Sequence, residues 1–584
     1  MIRIPLLAAI LLGIAAAASA AVKNRDTFVL ARNVDVQSLD PAFTYGGGDD
    51  AIIRNIYEYL VAFQGSGVAI GDLVPQLGET VPSRANGLIS PDGLVYRFPI
   101  RKGVKFHDGS VLTPEDVRYS LLRFMLSDTD TGPASLLLQP ILGLDSTRRD
   151  GKLIPGVGER AFKAVTVEGD SVVVRLDKPF SPFLLILAGH GAVMNEKWCA
   201  AHGQWDGALE TWERFNNPRL QDAIPNSLAD GTGPFRLARF DPGGRQIVLA
   251  RFDGYWRGPA RLKNVVIKIV EDFNTRRLML QAGDADVISA MRVHSPLLQG
   301  IAGVRLIDGL PLIKRTALFF TFKMDPSVNP NVGSGKLDGK GVPPDFFADK
   351  DVRQAFAFSI DFDAYVRDVL RGQGAQDAGM IPPPLLGART GPPRCRFDPK
   401  LAAEHFKKAW GGKVWEKGFA FSVPYLTGTV DHLALYQMLK KNVESLNPRF
   451  HIELRPIMNS TAADYSRAHK RPFFVGNWGA DYPDPHNFAF PIFASAGSYP
   501  ESQDYADPEL DRLIQEALTT TDEAARAALY GRIQDAADEE LPNVPLANGF
   551  EYRAQRTWVK GFVFNPMSPG LPENSYYYDL SKAE

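Results

Sequence analysis

Polar and hydrophobic positions alternate strictly over 96–101, with Tyr96, Phe98 and Ile100 set against Arg97, Pro99 and Arg101. Alternation of this kind predicts a half-buried strand. The segments 27–31, 165–167, 172–176, 231–237, 247–250 and 318–323 carry similar strand texture. The run 265–270 is almost continuously apolar, as expected of a strand buried on both faces. Helical spacing replaces alternation at 51–61, through Ile52, Ile56, Tyr59 and Leu60. It returns after Thr113, an N-cap followed by Pro114 and by Val117, Leu121 and Phe124 on one face. Asn274 is expected to cap a helix ending at Gly283, and further helices are predicted near 352–360, 431–443, 509–518 and 523–540. The stretch 325–345, rich in Gly, Pro and Asn, reads as a long surface loop.

Strand–helix–strand texture on either side of an early, hairpin-rich region predicts an α/β chain of two lobes with an α+β domain inserted in the first. The expected borders are a first part of lobe I at 21–63, the inserted domain at 64–205, a second part of lobe I at 206–312, lobe II at 313–547 and a return to lobe I at 548–584. A charged start, an apolar run of 6–18 and the small-residue site Ala18-Ser19-Ala20 predict a signal peptide over 1–20. With no cysteine following that site, the mature chain is expected free in the periplasm rather than lipid-anchored. The balance of 65 basic and 67 acidic residues gives no sign of a nucleic-acid or anionic-membrane partner. Cys199 and Cys395 are free to pair or to stay reduced as far as the sequence goes.

Catalytic constellations are missing. No G-x-S-x-G elbow, H-E-x-x-H pair or catalytic-cysteine signature occurs, and the nine histidines are scattered at spacings that do not suit a metal. The chain is therefore expected to be no enzyme, with no catalytic residue, metal or cofactor. A secreted hydrolase assembled from distant residues is the remaining enzymatic alternative. One stretch does display chemistry: Phe473-Phe474-Val475 runs into Asn477-Trp478-Gly479-Ala480-Asp481-Tyr482-Pro483-Asp484-Pro485. An apolar strand ending in a rigid polar turn can present a fixed carboxylate, and Asp481 is the candidate. By itself the window fits an Asx-type turn better, with Asp481 and Asp484 satisfying local backbone donors.

Several ordered blocks carry a family resemblance. Arg32-Asn33 with Gln37-Ser38-Leu39-Asp40-Pro41, Leu73-Val74-Pro75-Gln76-Leu77, Gly103-Val104-Lys105-Phe106-His107-Asp108-Gly109, Thr113-Pro114-Glu115-Asp116-Val117, Gly231-Thr232-Gly233-Pro234-Phe235 and Asp351-Val352-Arg353-Gln354-Ala355-Phe356 resemble bacterial extracellular solute-binding proteins of family 5. The resemblance implies a two-lobed periplasmic binding protein (type II, cluster C-like) that encloses a solute and delivers it to the permease subunits of an ABC transporter, acting as a monomer. For a peptide solute it implies that Asp481 meets the α-ammonium group, while Tyr45, Gly46 and Gly47 on one side and Trp478, Gly479 and Ala480 on the other flank the ligand. The same family resemblance leaves room for a non-peptide solute: an oligosaccharide, an opine, haem or a metal complex.

Overall fold

The computed structural model describes residues 21–45, 48–63, 65–130, 132–567 and 571–584. The expected signal peptide and the candidates Gly46 and Gly47 lie outside the described residues. A mixed seven-stranded sheet runs in the order Val304–Leu310, Glu551–Arg556, Val287–Ile288, Thr27–Arg32, Asn264–Ile269, Gln246–Arg251, Phe235–Asp241. Its strands come from the start, the middle and the end of the chain, so the chain leaves this lobe and returns to it.

The Asn264–Ile269 strand corrects one expectation. It alternates buried and half-buried residues instead of being buried throughout. Val265, Ile267 and Ile269 enter the large core, while Val266 rests on a thinner layer built from Val29, Ala31, Leu280 and Ile288. The helix expected over 51–61 is also shorter, Asp49–Ile56, and Tyr57 is already extended. Two outside partners fix that end: Gly233 N donates to the Ile56 carbonyl (2.8 Å), and Tyr59 N donates to the Gln76 side chain (2.8 Å). Asp272, not Asn274, caps the helix Phe273–Ala282, accepting from Thr275 N at 2.7 Å.

The insert holds a three-stranded antiparallel sheet of Val95–Pro99, Ser171–Arg175 and Val165–Glu168 against the helix Pro114–Ser127. Thr113 and Asp116 form a reciprocal capping box at the start of that helix. From the same helix Arg123 makes a bidentate pair with Asp40 of the Ser-Leu-Asp-Pro block, both bonds 2.7 Å and both residues buried. Insert and first lobe are thereby fastened together.

The second lobe contains a three-stranded sheet, Phe473–Gly479, Lys314–Phe320 and Asn543–Pro545, and a parallel pair, Phe419–Leu426 with Phe450–Ile457. The 325–345 stretch is irregular as expected, yet it is anchored. Val332 and Val342 are buried, and the Asn331 carbonyl accepts from Ser422 N on the Phe419–Leu426 strand (2.9 Å). Its few apolar residues are enough to pin it along that strand. Both cysteines are free thiols, Cys199 fully buried in the insert and Cys395 half-buried in the second lobe.

Candidate functional site

The strand Phe473–Gly479 lies at the edge of its sheet and pairs antiparallel with Lys314–Phe320. Ala480 N bonds to Ile313 O at 2.9 Å and Thr321 N to Pro472 O at 3.0 Å, so the even-numbered residues point their amides and carbonyls inward. By the alternation of an antiparallel ladder, Val475, Asn477 and Gly479 point theirs to the open edge. The strand begins buried at Phe473 and Phe474 and emerges so that Asn477 and Gly479 are exposed. A side chain added at Gly479 would meet nothing within 4 Å.

The turn beyond is over-determined. Asn487 Oδ1 accepts from Asp481 N (2.8 Å) and from the Trp478 indole (3.2 Å), and Asn487 Nδ2 donates to Asp481 Oδ2 (3.0 Å). Asp484 accepts from His486 N at 2.8 Å, the turn-forming role its position suggests. It also makes a buried bidentate pair with Arg526, both bonds 2.7 Å, and Arg526 donates further to the Ala517 carbonyl. His190 of the insert lies against the Asp481 carbonyl (Nε2 to O, 3.1 Å). Burial, aided by Arg54, lowers the His190 imidazole to about 4, so the ring is neutral and Nε2–H is the donor.

Tyr45 reaches the Asp481 carboxylate from the first lobe with its hydroxyl. Burial and the nearby carboxylate raise the Tyr45 phenol, which therefore stays protonated and donates. Burial raises the Asp481 carboxyl above its ordinary value, against the hydrogen bonds from Asn487 and Tyr45. Asp50 lies within electrostatic reach of it, at the start of the helix Asp49–Ile56, and is raised to about 6 by burial, opposed by Arg54 and augmented by Asp49 and Asp481. Its neighbour Asp49 is spoken for by Arg32 (3.2 Å) and by Gln37 N (2.9 Å). Asp50 carries no hydrogen bond or ion pair among the described residues. Two carboxylates thus share a desolvated region, an arrangement that favours an incoming cation.

Of the residues singled out in the sequence, Asp481, Trp478, Gly479, Ala480 and Tyr45 are gathered here. Trp478 is opposite Arg315 in the ladder, so its backbone is occupied, as is the Ala480 amide. Gly479 is the member of that trio with an outward backbone. Sequence reasoning missed Asp50, Asn487 and Arg526. Asp50 could have been found from the acidic pair at the start of a helix; the Arg526 partnership, 42 residues away from Asp484, has no local signal.

The sequence profile of the bacterial extracellular solute-binding proteins, family 5 (middle region), matches residues 73–500. The chain belongs to this family. It is 26% identical to the probable D,D-dipeptide-binding periplasmic protein DdpA of Escherichia coli K12, over 93% of this chain and 92% of that one. Heme-binding protein A of Haemophilus influenzae is 24% identical over 93% and 91%. Among solved structures, the ABC transporter-associated periplasmic binding protein DppA of Helicobacter pylori, in complex with the peptide STSA, superposes with a TM-score of 0.68 at 20% identity, covering 96% of this chain and 98% of that one. The likeness extends to the whole two-lobed fold. Family 5 proteins are solute-binding receptors of ABC importers, and the relatives named here as periplasmic place the family outside the cytoplasm.

Proposed function

We propose that this family 5 receptor binds a peptide by its free amino end, with Asp481 as the partner of the ligand's ammonium group and Asp50 adding to the negative field. The receptor passes the peptide to membrane permease subunits, works in the periplasm as a monomer and catalyses nothing. The observation that carries the reading is the pair of desolvated carboxylates at the end of an open strand edge. A peptide supplies both complements at once: an ammonium for Asp481 and backbone groups for the outward amide and carbonyl of Gly479. A ligand without a cation would leave the carboxylates buried and unmatched, which is costly. Lobe II is proposed to open and close about the two crossings near 310–314 and 547–551.

Calorimetry with short peptides against their N-acetylated forms tests this reading. Free peptides are expected to bind and acetylated ones to bind at least a hundredfold more weakly. Equal affinity removes Asp481 from its proposed role.

A second expectation concerns pH. With Asp50 raised to about 6 and Asp481 also raised, an incoming ammonium lowers both and expels protons. Affinity should fall as pH drops through 6. Calorimetry at pH 5.5 in buffers of different ionisation enthalpy should show net proton release. Toward pH 7.5 the release should vanish or reverse, because the peptide amine itself begins to need a proton there. In the empty protein the sign is the opposite of that for a salt-bridged carboxylate. Asp50 binds its proton more tightly folded than unfolded, so its contribution to stability declines as pH rises from about 4 to 6. An absence of proton release at pH 5.5 counts against the carboxylate pair.

A further inference from the structure

The open edge beside Asp481 is much shorter than the strand that carries it. Val475, Asn477 and Gly479 direct their backbone groups outward, yet two phenols have already taken part of that edge. Val475 N donates to the Tyr436 hydroxyl at 2.7 Å, and the Tyr499 hydroxyl donates to the Asn477 carbonyl at 2.7 Å. Among the described residues, the Gly479 amide and carbonyl remain for a ligand next to Asp481; the open Asn477 amide and Val475 carbonyl lie beyond, enclosed between the capped Asn477 carbonyl and the capped Val475 amide.

Tyr499 is not a casual contact. Its ring stacks on Phe319 with centroids 4.1 Å apart and planes within 4°. It lies close over the strand because residue 476 is glycine: a Cβ there would come within 2.4 Å of Tyr499 Cε1 and 3.0 Å of the Phe319 ring. The strand therefore omits a side chain where the tyrosine needs room. Burial raises the Tyr499 phenol to about 12, so it remains a protonated donor at any physiological pH. Tyr436, buried on the helix Val430–Leu446, is equally fixed.

We infer that Tyr499 and Tyr436 act as a length stop: a peptide anchored at Asp481 can add to the strand along Gly479 and no farther, which limits strand-paired ligands to two or three residues. The inference rests on the peptide reading above and adds the size class of the ligand. Successive outward residues of a strand are roughly 7 Å apart, so the usable edge, which begins beside Asp481 and ends short of the Asn477 carbonyl, is about one such interval long. A longer ligand would meet the Tyr499 hydroxyl where its own amide must approach the Asn477 carbonyl, and farther on the Val475 amide, whose one hydrogen is already given to Tyr436, and would lose its own backbone bonds on leaving water.

The test is an alanine series of two to five residues, all with free amino ends, titrated calorimetrically into the full mature chain. The wild-type receptor is expected to bind di- or tripeptide best and the pentapeptide at least thirtyfold more weakly. Tyr499→Phe keeps the stacked ring and frees the Asn477 carbonyl, so it should leave dipeptide affinity unchanged and shrink the gap between tri- and pentapeptide. Tyr499→Ala should shrink it further. Unchanged dipeptide binding also reports that each variant is folded. A wild-type receptor that binds pentapeptide within threefold of tripeptide overturns the length stop and leaves the peptide reading standing. So does a Tyr499→Phe variant with an unaltered length profile. Failure of every peptide to bind wild type removes the peptide reading itself and the length stop with it.

Discussion

Asp481→Asn should cost the receptor its ligand while making the empty protein more stable. The substitution keeps the shape and one acceptor for Asn487 Nδ2, but removes the charge that the desolvated site holds at a cost. If the peptide ammonium is buried against Asp481, the loss is that of breaking a buried ion pair by removing one partner, about 3–5 kcal/mol. At about 1.4 kcal/mol per decade this is roughly a hundred- to several-thousandfold in affinity. In a thermal melt the ligand-induced shift should vanish, and the melting temperature without ligand should rise or hold. That opposition separates loss of a binding group from misfolding, which would lower both. Retention of ligand affinity within tenfold would show that the cation of the ligand lies elsewhere.

The second large effect is expected at Arg526, outside any contact with ligand. Arg526→Met leaves Asp484 buried without its bidentate partner, and the unpaired carboxylate should lower unfolding free energy by about 3–5 kcal/mol. Denaturation in urea measures this directly, with the midpoint moving while the slope stays constant. Adding Asp484→Asn, which keeps an acceptor for His486 N, should return most of the loss because no charge is left to desolvate. A single-variant loss below 1 kcal/mol would mean that water reaches Asp484. Because Asp484 closes the turn that carries Asp481, surviving Arg526→Met protein should also bind peptide more weakly.

The outline of the fold was legible because local periodicities and caps agree with it. Thr113-Pro114 opens a helix, Tyr96–Ile100 alternates, and the ordered blocks from the Ser-Leu-Asp-Pro segment onward announce the family. Failures occurred where a partner distant in sequence decided a local outcome. The helix at 51–61 stops early because Gly233 and Gln76 take its carbonyl and the following amide. The 325–345 stretch is pinned because Asn331 finds the Phe419–Leu426 strand. At the site, the apolar strand running into a rigid turn singled out Asp481 as the candidate, while Gly479 entered only through the family resemblance. Which backbone groups of that strand remain open depends on pairing parity with Lys314–Phe320 and on the phenols of Tyr436 and Tyr499. None of these relations is written in the window itself.

The capped strand edge has a consequence for how copies of the receptor coexist. An exposed edge offers a row of unmet amides and carbonyls as a template for another chain, and proteins commonly blunt such edges. Here two aromatic hydroxyls close two of the six outward amides and carbonyls of Val475, Asn477 and Gly479, and the groups left open at Gly479 sit beside two carboxylates that repel an acidic strand. An edge blunted in this way is a poorer template for a second copy of the chain, so the two phenols that border the open groups at Gly479 also lessen strand pairing between receptors.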